Sequence, residues 1–427
     1  MTKVNIITLG CSKNTVDSEN VAGHLRKKGL EVTFDKNIRA DVVIVNTCGF
    51  IGDAKEESVN VILEQAEIKK HRRKPMKLFV CGCLVERYRD ELKAEIPEID
   101  GFYGVHQWDE MISDIAALKI QQFEDERFVS TPRHYAYIKI AEGCNRRCSY
   151  CAIPFIRGRY VSRPMESILD EAKRLVAGGV KELIIIAQDT TYYGVDLYGR
   201  QRLAELLEQL ALQSGATWIR LHYAYPANFP MDVLDVMAKY PNICKYLDIP
   251  LQHVDTELLA SMSRGIDEAG TLQLLDTIRE KVPGIYIRTS LIVGYPGETE
   301  AKYQKLVDFV KTQRFQRLGV FTYSAEEGTA SAQLPDDIPQ EEKDRRCGEI
   351  MDLQERIAEK ENEKLLDTEM EVLIDRREGD FWVGRTQYDS PEVDQEVLVS
   401  SVSRLKIGEM YKVSINDVMD FDLVGEV

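Results

Sequence analysis

The chain has 427 residues, of which 44% are hydrophobic and 30% charged, as in an ordinary globular protein of two or three domains. No run of about 18 apolar residues occurs, and residues 1–7 lack the apolar core of a secretion signal, so we expect a cytoplasmic protein without a transmembrane helix. The net charge of −16 argues against a nucleic-acid backbone as the main partner, and nine cysteines in a reducing compartment indicate metal binding or catalysis before disulfides.

Short apolar segments alternate with helical patterns over the first predicted domain, residues 1–130. The apolar segments suit buried parallel strands, because both of their faces are hydrophobic. The predicted strands are 4–9, 41–46 and 77–80, and the predicted helices between them are 15–28 and 53–70. This alternation predicts a doubly wound α/β domain.

A cysteine follows each of these three strands, and the three are Cys11, Cys48 and Cys83. The loops beyond the carboxyl ends of an open parallel sheet share one crevice, so we expect the three thiols to meet there. Glycines beside the cysteines would let the backbone approach a cluster closely. Three thiolates predict a 4Fe–4S site in which one iron lacks a protein ligand.

Cys81 is a rival for the third position. Residues 81 and 83 of a strand point to the same face, so their spacing does not separate them. We favour Cys83 because it lies nearer the end of the predicted strand.

Three further cysteines lie within eight residues of one another, directly after a predicted strand at 135–140; they are Cys144, Cys148 and Cys151. A zinc site usually has four ligands in two close pairs, and this trio has no second pair. Three thiolates instead suit a 4Fe–4S cluster whose fourth iron can chelate a substrate. The alternative is a small structural metal site or three buried thiols.

Strand-and-helix units follow through the second predicted domain, residues 131–360. Six of them predict a partial TIM-like barrel with strands at 135–140, 182–187, 218–221, 246–249, 285–289 and 317–321. Polar or glycine-rich segments follow several strands, at 188–194, 222–226, 250–253 and 293–298. Since the active sites of βα barrels form at the carboxyl ends of the strands, we expect these segments and the cysteine loop to face one mouth. A charged helical pattern at 340–364 predicts a connecting helix.

The third predicted domain, residues 361–427, changes character. Four short strands with turn residues between them predict a small antiparallel β-barrel; they are 371–375, 382–385, 396–399 and 410–415. Residues 364–427 contain seven Lys and Arg against fifteen Asp and Glu, a net charge of −8. Such a module is expected to repel RNA and to attract a basic protein.

Four motifs resemble those of the methylthiotransferase branch of the radical S-adenosylmethionine (SAM) enzymes. They are Gly143-Cys144-Asn145-Arg146-Arg147-Cys148-Ser149-Tyr150-Cys151, Leu9-Gly10-Cys11-Ser12-Lys13-Asn14, Asn46-Thr47-Cys48-Gly49-Phe50 and Gly82-Cys83-Leu84. The resemblance covers essentially the whole chain, and the tail is similar in position to a TRAM domain. Lys13-Asn14 and the segment 188–194 resemble the branch that modifies a ribosomal protein.

The resemblance implies two 4Fe–4S clusters and SAM as cofactors. By this match the trio of the second domain holds the SAM cluster, and the trio of the first domain holds an auxiliary cluster. The implied activity is the addition of a methylthio group to the β-carbon of an aspartate in a basic small-subunit ribosomal protein, the twelfth of its series. A 5′-deoxyadenosyl radical from SAM would abstract the hydrogen, and a reducing donor such as a flavodoxin or ferredoxin would supply the electron.

Further SAM contacts are interpreted from their position. Gly178, Gly179 and Glu182 stand where radical SAM barrels contact the methionine amino group, although the two glycines could only cap a helix. Tyr150 lies between two cluster cysteines and could offer backbone contacts to adenine, or could simply pack. Arg157 could hold a carboxylate or be solvated. No catalytic side chain is assigned beyond the clusters.

Two other functions are alternatives. A transfer-RNA adenosine methylthiotransferase is the nearest, and the acidic tail disfavours it. A non-enzymatic iron–sulfur carrier or electron-transfer protein belongs to another class, and a carrier has no need of a barrel around a cluster that lacks one ligand.

Overall fold

A computed structural model of the chain describes residues 2–35, 38–116 and 127–427. Positions 1, 36–37 and 117–126, which the first predicted domain includes, lie outside the described residues. The described residues form a doubly wound α/β layer, a partial βα barrel and a small closed β-barrel. This architecture confirms the fold class predicted from the sequence.

The N-terminal layer is a parallel sheet with strand order β2-β1-β3-β4-β5. Its central strands consist mainly of apolar residues, as expected for strands whose two faces are both covered by helices. One face packs against α1 and α4, and the other against α2 and α3. The two three-residue edge strands were not predicted. The elements are β1 (Lys3–Thr8), α1 (Ser12–Lys27), β2 (Glu31–Thr33), β3 (Val42–Thr47), α2 (Gly52–His71), β4 (Lys77–Gly82), α3 (Cys83–Glu95), β5 (Gly101–Tyr103) and α4 (Trp108–Ala116).

The central part is a parallel sheet with strand order β13-β12-β11-β10-β9-β6. Helices cover its outer face, and a large apolar core lies between the two layers. Its elements are β6 (Tyr135–Lys139), β7 (Ala141–Glu142), α5 (Ile153–Arg157), β8 (Val161–Ser162), α6 (Met165–Ala177), β9 (Glu182–Ile186), α7 (Val195–Tyr198), α8 (Leu203–Gln213), β10 (Trp218–Leu221), α9 (Asp232–Lys239), β11 (Ile243–Asp248), α10 (Thr256–Ser261), α11 (Glu268–Lys281), β12 (Tyr286–Val293), α12 (Glu300–Gln313), β13 (Arg317–Thr322) and α13 (Gln340–Glu363). The last of these is the predicted connecting helix.

The C-terminal part is a closed barrel with strand order β14-β15-β16-β18-β17. Its strands are β14 (Glu369–Glu378), β15 (Phe381–Arg385), β16 (Val397–Ser400), β17 (Met410–Met419) and β18 (Asp422–Glu426). One pairing differs from the predicted antiparallel barrel, since β16 and β18 pair in parallel. The unpredicted fifth strand closes the barrel and causes this difference, because it returns beside β16 in the same direction.

Two other parts of the chain cover the inner surface of the partial barrel. On the open side, Val16 of α1 packs against inward-facing Tyr137 and Ile186. At the amino ends of the strands, the loop after β15 is buried, and its Asp389 accepts a hydrogen bond from Arg317 Nε at 2.9 Å. The carboxyl ends of the strands therefore form the mouth that faces the N-terminal layer. None of the described helices is long and apolar enough to cross a lipid bilayer.

Candidate active site

Three cysteines lie at the carboxyl ends of β1, β3 and β4, which are neighbours in the sheet. Cys11 precedes the first residue of α1, Cys48 follows β3, and Cys83 begins α3. Gly10 has a φ of +84°, and a Cβ at this position would lie 2.7 Å from the Cβ of Cys48. Only glycine permits this conformation and this close approach without strain. The three loops are thus pressed together, as the parallel topology predicts.

The thiols of this auxiliary trio, Cys11, Cys48 and Cys83, influence one another electrostatically. Burial raises the pKa of Cys83 to about 12, the guanidinium of Arg157 lowers it, and the other two thiols raise it again. Burial also raises the pKa of Cys48, and Cys11 adds to that rise. Arg157 is only 2% exposed. A buried cation beside three thiols favours their thiolate forms, which are the forms that bind iron.

Cys81 lies in a different environment from the auxiliary trio. It is fully buried in the apolar cluster between the sheet and α1, and its Sγ donates to the carbonyl of Val45 at 3.6 Å. Cys83 instead touches the loop of Cys48, since a Cβ at Gly49 would lie 2.8 Å from the Cys83 carbonyl carbon. The tertiary structure separates two cysteines that sequence spacing could not.

The second trio, Cys144, Cys148 and Cys151, lies on a loop whose shape depends on a glycine. Gly143 has a φ of +77°, and a Cβ there would lie 2.2 Å from the carbonyl oxygen of Arg159. The amide of Cys144 donates to the carbonyl of Gly158 at 3.1 Å, which closes the base of the loop. Burial raises the pKa of Cys144 to about 11 and that of Cys151 to about 12.

A buried arginine lies beside the middle thiol of this loop. Arg264 is 4% exposed, and its Nη1 donates to Cys148 Sγ at 3.5 Å and to the hydroxyl of Tyr150 at 3.2 Å. The hydroxyl of Tyr225 lies 3.6 Å from the same sulfur and donates to the carbonyl of Arg264 at 2.8 Å. These contacts hold Cys148 and offset the negative charge that its thiolate carries.

The two trios are adjacent in space. Ala152, directly after Cys151, packs with Ile156 against Cys83. From the end of α5, Arg157 reaches α1 of the N-terminal layer, where its Nη1 donates to Asp17 at 2.7 Å and its Nη2 to the side-chain oxygen of Asn14 at 2.5 Å. One short helix therefore joins the loop of the second trio to the site of the first.

Gly178, Gly179 and Glu182 require a correction. They precede or begin β9, and Glu182 pairs in register with Tyr135 at the start of β6, whereas the cysteine loop follows the other end of β6. Glu182 is fully buried between Arg220 and Arg385, at 2.6 and 2.9 Å. The interpretation of these three residues as SAM contacts is therefore wrong, because they lie at the amino ends of the strands.

Tyr150 lies on the cysteine loop as expected, but its side chain packs. Its ring contacts a cluster that contains Met262 and Tyr295. The hydroxyl accepts the hydrogen bond from Arg264. The side chain thus anchors the loop.

Residues of segment 188–194 and of the cysteine loop lie at the mouth as expected, but their contacts with one another were not predicted. Arg146 donates to Asp189 at 2.7 Å, and Gln188 donates to Glu142 at 2.9 Å. Both acceptors lie near the second trio. The signal was present, because Gln188 and Asp189 directly follow a buried strand at the end where barrel sites form. The partners across the mouth could not be read from spacing.

The donor atoms of the two trios suit iron–sulfur clusters. All six donors are cysteine sulfurs, which suits iron–sulfur chemistry. Within the described ranges, no three His, Cys, Asp or Glu side chains converge as the ligands of one metal ion do. A 4Fe–4S cluster distributes its thiolates over separate irons, so thiols set further apart suit it. The buried hydroxyl of Ser12, beside Cys11, has no hydrogen-bond partner in the described part of the chain. The residues fit two thiolate-bound clusters.

Family models match three parts of the chain. Residues 3–104 match the uncharacterized protein family UPF0004, residues 138–310 match the radical SAM superfamily, and residues 368–427 match the TRAM domain. Among solved structures, the radical SAM methyltransferase TsrM from Kitasatospora setae has a TM-score of 0.55 at 18% identity, covering 75% of this chain and 73% of that one. This likeness shows the fold.

Curated relatives match over the full length. The ribosomal protein uS12 methylthiotransferase RimO of Phocaeicola vulgatus is 52% identical over 427 residues, covering 99% of each chain. That of Bacteroides thetaiotaomicron is 51% identical over 428 residues, covering 100% of this chain and 98% of the relative. The chain therefore belongs to the ribosomal protein uS12 methylthiotransferase family of radical SAM enzymes.

Proposed function

We propose that this protein transfers a methylthio group to the β-carbon of an aspartate in ribosomal protein uS12, with SAM and two 4Fe–4S clusters as cofactors. Full-length identity of 52% to a relative of that name supports the activity. The observation that carries the proposal is the adjacency of two cysteine trios, in which Ala152 beside Cys151 packs against Cys83. Sulfur insertion needs the radical and the sulfur at one place.

We assign the cluster ligands on this geometry. Cys11, Cys48 and Cys83 would hold the auxiliary cluster, and the second trio, Cys144, Cys148 and Cys151, would hold the SAM cluster. When bound, these groups supply a low-potential electron for reductive cleavage of SAM and the sulfur to be inserted.

The polypeptide contributes positioning and charge compensation. Arg264 and Tyr225 hold the thiol of Cys148 from one side, at 3.5 and 3.6 Å. Arg157 adds a buried positive charge beside the auxiliary trio and ties that site to the barrel through Asp17. Cys48, Cys83 and Cys144 are buried, so the charges around them are screened less than they would be in water.

We propose that the C-terminal barrel favours a basic protein substrate and does not bind RNA. Its net charge of −8 over residues 364–427 supports this. A flavodoxin or ferredoxin is the proposed electron donor, and the cytoplasm the proposed location, where thiols stay reduced. The proposed domain boundaries remain 1–130, 131–360 and 361–427.

The test is anaerobic turnover of reconstituted full-length protein with SAM, a strong reductant and purified uS12. We expect 5′-deoxyadenosine and a uS12 aspartate that carries a methylthio group, both measured by mass spectrometry. Cys83→Ala is expected to abolish the modification, and its matched control Cys81→Ala to retain it, because Cys81 only packs in the core. Transfer RNA serves as the competing substrate. Modification of the RNA instead of uS12, or no 5′-deoxyadenosine, would refute the proposal.

A further inference from the structure

Lys13 is the second residue of α1, two positions after Cys11. It lies one turn before Val16, so both side chains are on the same face of the helix. Val16 packs on the inner surface of the partial barrel, and Lys13 Nζ lies 2.9 Å from the centroid of the Tyr223 ring. Tyr223 follows β10 at the carboxyl end of the strands. The ammonium group of Lys13 is therefore at the mouth, and the backbone of Lys13 lies two residues after Cys11.

This ammonium group is buried and contacts no anion among the residues that the structure describes. Lys13 is 7% exposed, and its contact with the Tyr223 ring is not accompanied by an ion pair or a side-chain hydrogen bond to any other described residue. The other cations nearby are paired, since Lys139 contacts Asp17 and Arg157 does too. A buried charge is costly unless an anion or a set of hydrogen bonds compensates it, and a ring face compensates only in part. Lys13 thus has capacity for one more ligand, and that ligand is an anion.

The platform under Lys13 is conformationally strained. Tyr223 has a φ of +56°, a left-handed conformation that is unusual for a bulky residue. Its amide donates to Asp248 at 3.0 Å, and its carbonyl accepts from the amide of Thr190 at 3.1 Å. Next to it, the Nε2 of His222 is buried and has no hydrogen-bond partner among the described residues. Strain of this kind concentrates at ligand sites, where the surrounding structure holds it in place.

We propose that Lys13 binds the side-chain carboxylate of the substrate aspartate and thereby selects aspartate over an uncharged residue. This inference rests on the proposed function. The β-carbon to be modified bears the carboxylate directly, so an ammonium group that holds the carboxylate holds the reacting carbon as well. Because Lys13 stands on α1 and its ammonium group lies over Tyr223, that carbon would lie between the N-terminal layer and the barrel mouth. The N-terminus of α1, which has no acidic residue in its first turn, further favours an anion here.

A binding experiment on the reconstituted full-length protein tests this. Two fluorescent peptides span the target site of uS12, one with the aspartate and one with asparagine in its place. Anisotropy is measured anaerobically with SAM but without reductant, so that no turnover occurs. We expect wild type to prefer the aspartate peptide, and Lys13→Met to bind it about tenfold to hundredfold more weakly, the loss typical of a charge-assisted hydrogen bond.

Controls separate this effect from a general loss of charge or of cofactor. Lys13→Arg keeps the positive charge and is expected to retain part of the preference. Lys311→Met removes the same charge from an exposed position of α12, where Lys311 contacts only Asp308 among the described residues, and is expected to match wild type. All variants are compared at equal iron content, and the affinity for SAM is measured separately.

The outcomes distinguish two carboxylate sources. Equal losses for both peptides, or an unchanged preference for aspartate in Lys13→Met, would overturn the inference. So would weakened SAM binding with the peptide preference intact, because the methionine carboxylate would then be the partner. Mass spectrometry of uS12 treated with wild type is independent of these results. If wild type leaves uS12 unmodified, the proposed function fails, whereas modified uS12 with an unaltered Lys13→Met preference refutes only the role of Lys13.

Discussion

Arg385 joins the C-terminal barrel to the central partial barrel, and its removal is the sharpest test of what holds them together. It is 1% exposed at the end of β15. Its guanidinium donates to Asp375 at 2.6 and 3.0 Å and, across the junction, to Glu182 at 2.9 Å. Arg385→Met keeps much of the side-chain volume and removes all of these bonds.

The expected cost follows from burial. Removing one partner of a buried ion pair typically costs about 3–5 kcal/mol, because a charge is left without compensation. Glu182 keeps Arg220 at 2.6 Å, so the lower end of that range, about 3 kcal/mol, is expected. Arg376, one residue after Asp375 in β14, is the matched control. It donates to Glu396 at 2.5 and 2.6 Å but is 45% exposed, so Arg376→Met is expected to cost about 1 kcal/mol or less.

The assay is urea unfolding followed by tryptophan fluorescence, since Trp218 and Trp382 lie on the two sides of the junction. Limited proteolysis near residue 366 measures release of the C-terminal barrel in parallel. We expect a large fall in the urea midpoint and faster cleavage for Arg385→Met alone. Equal midpoints for the two variants would refute the reasoning that burial, not the number of hydrogen bonds, sets the contribution of these arginines.

Three further predictions concern the two trios and the junction. Gly10→Ala puts a Cβ 2.7 Å from that of Cys48, so the reconstituted protein is expected to hold about four irons instead of about eight; full iron by colorimetric assay would contradict this. Arg264→Met removes the positive charge 3.5 Å from a thiol of the cysteine loop, and EPR-monitored titration is expected to show a more negative midpoint potential for the cluster bound there, whereas an unchanged potential would mean that this charge is fully screened. Burial alone would raise the pKa of Asp375, but the hydrogen bond from His134 and a neighbouring guanidinium outweigh it and lower that pKa. The stabilisation is therefore present above about pH 4 and is lost as the pH falls through the lowered pKa. In apoprotein, Asp375→Asn is expected to reduce the acid-induced fall of the urea midpoint below pH 4, and an identical fall would argue against this assignment.

The predicted strands agree with the observed ones where local pattern is strong. All six barrel strands and the connecting helix were predicted, because buried parallel strands are short apolar runs between helices of regular period. The three-residue edge strands β2 and β5 were not, since a strand of that length has too few residues to show a period. The last strand, β18, was also missed. It has no strict alternation, and its partner β16 is distant in sequence.

The residues of the candidate site likewise divide into those that the local sequence pattern predicted and those that it did not. The cysteines of both trios were predicted from spacing and from their place after strands, and the structure brings each trio and its loops together. Gly178, Gly179 and Glu182 were misassigned because they precede or begin β9. The start of that strand lies at the end of the barrel opposite to the cysteine loop. Lys13 was noticed only as part of a motif. That no described residue gives it an anion depends on all of its neighbours across the mouth.

The amino-acid sequence by itself determined the order of the three folds and the two trios of thiols, because hydrophobic period and cysteine spacing are local properties of the chain. Only the tertiary structure decided that Cys83 and not Cys81 lies with the first trio, that Glu182 serves a junction, and that Lys13 faces the mouth without an ion pair to any described residue. These facts depend on contacts between residues that lie far apart in the sequence, and the free energy of burying a charge is set by such contacts and not by the identity of the residue.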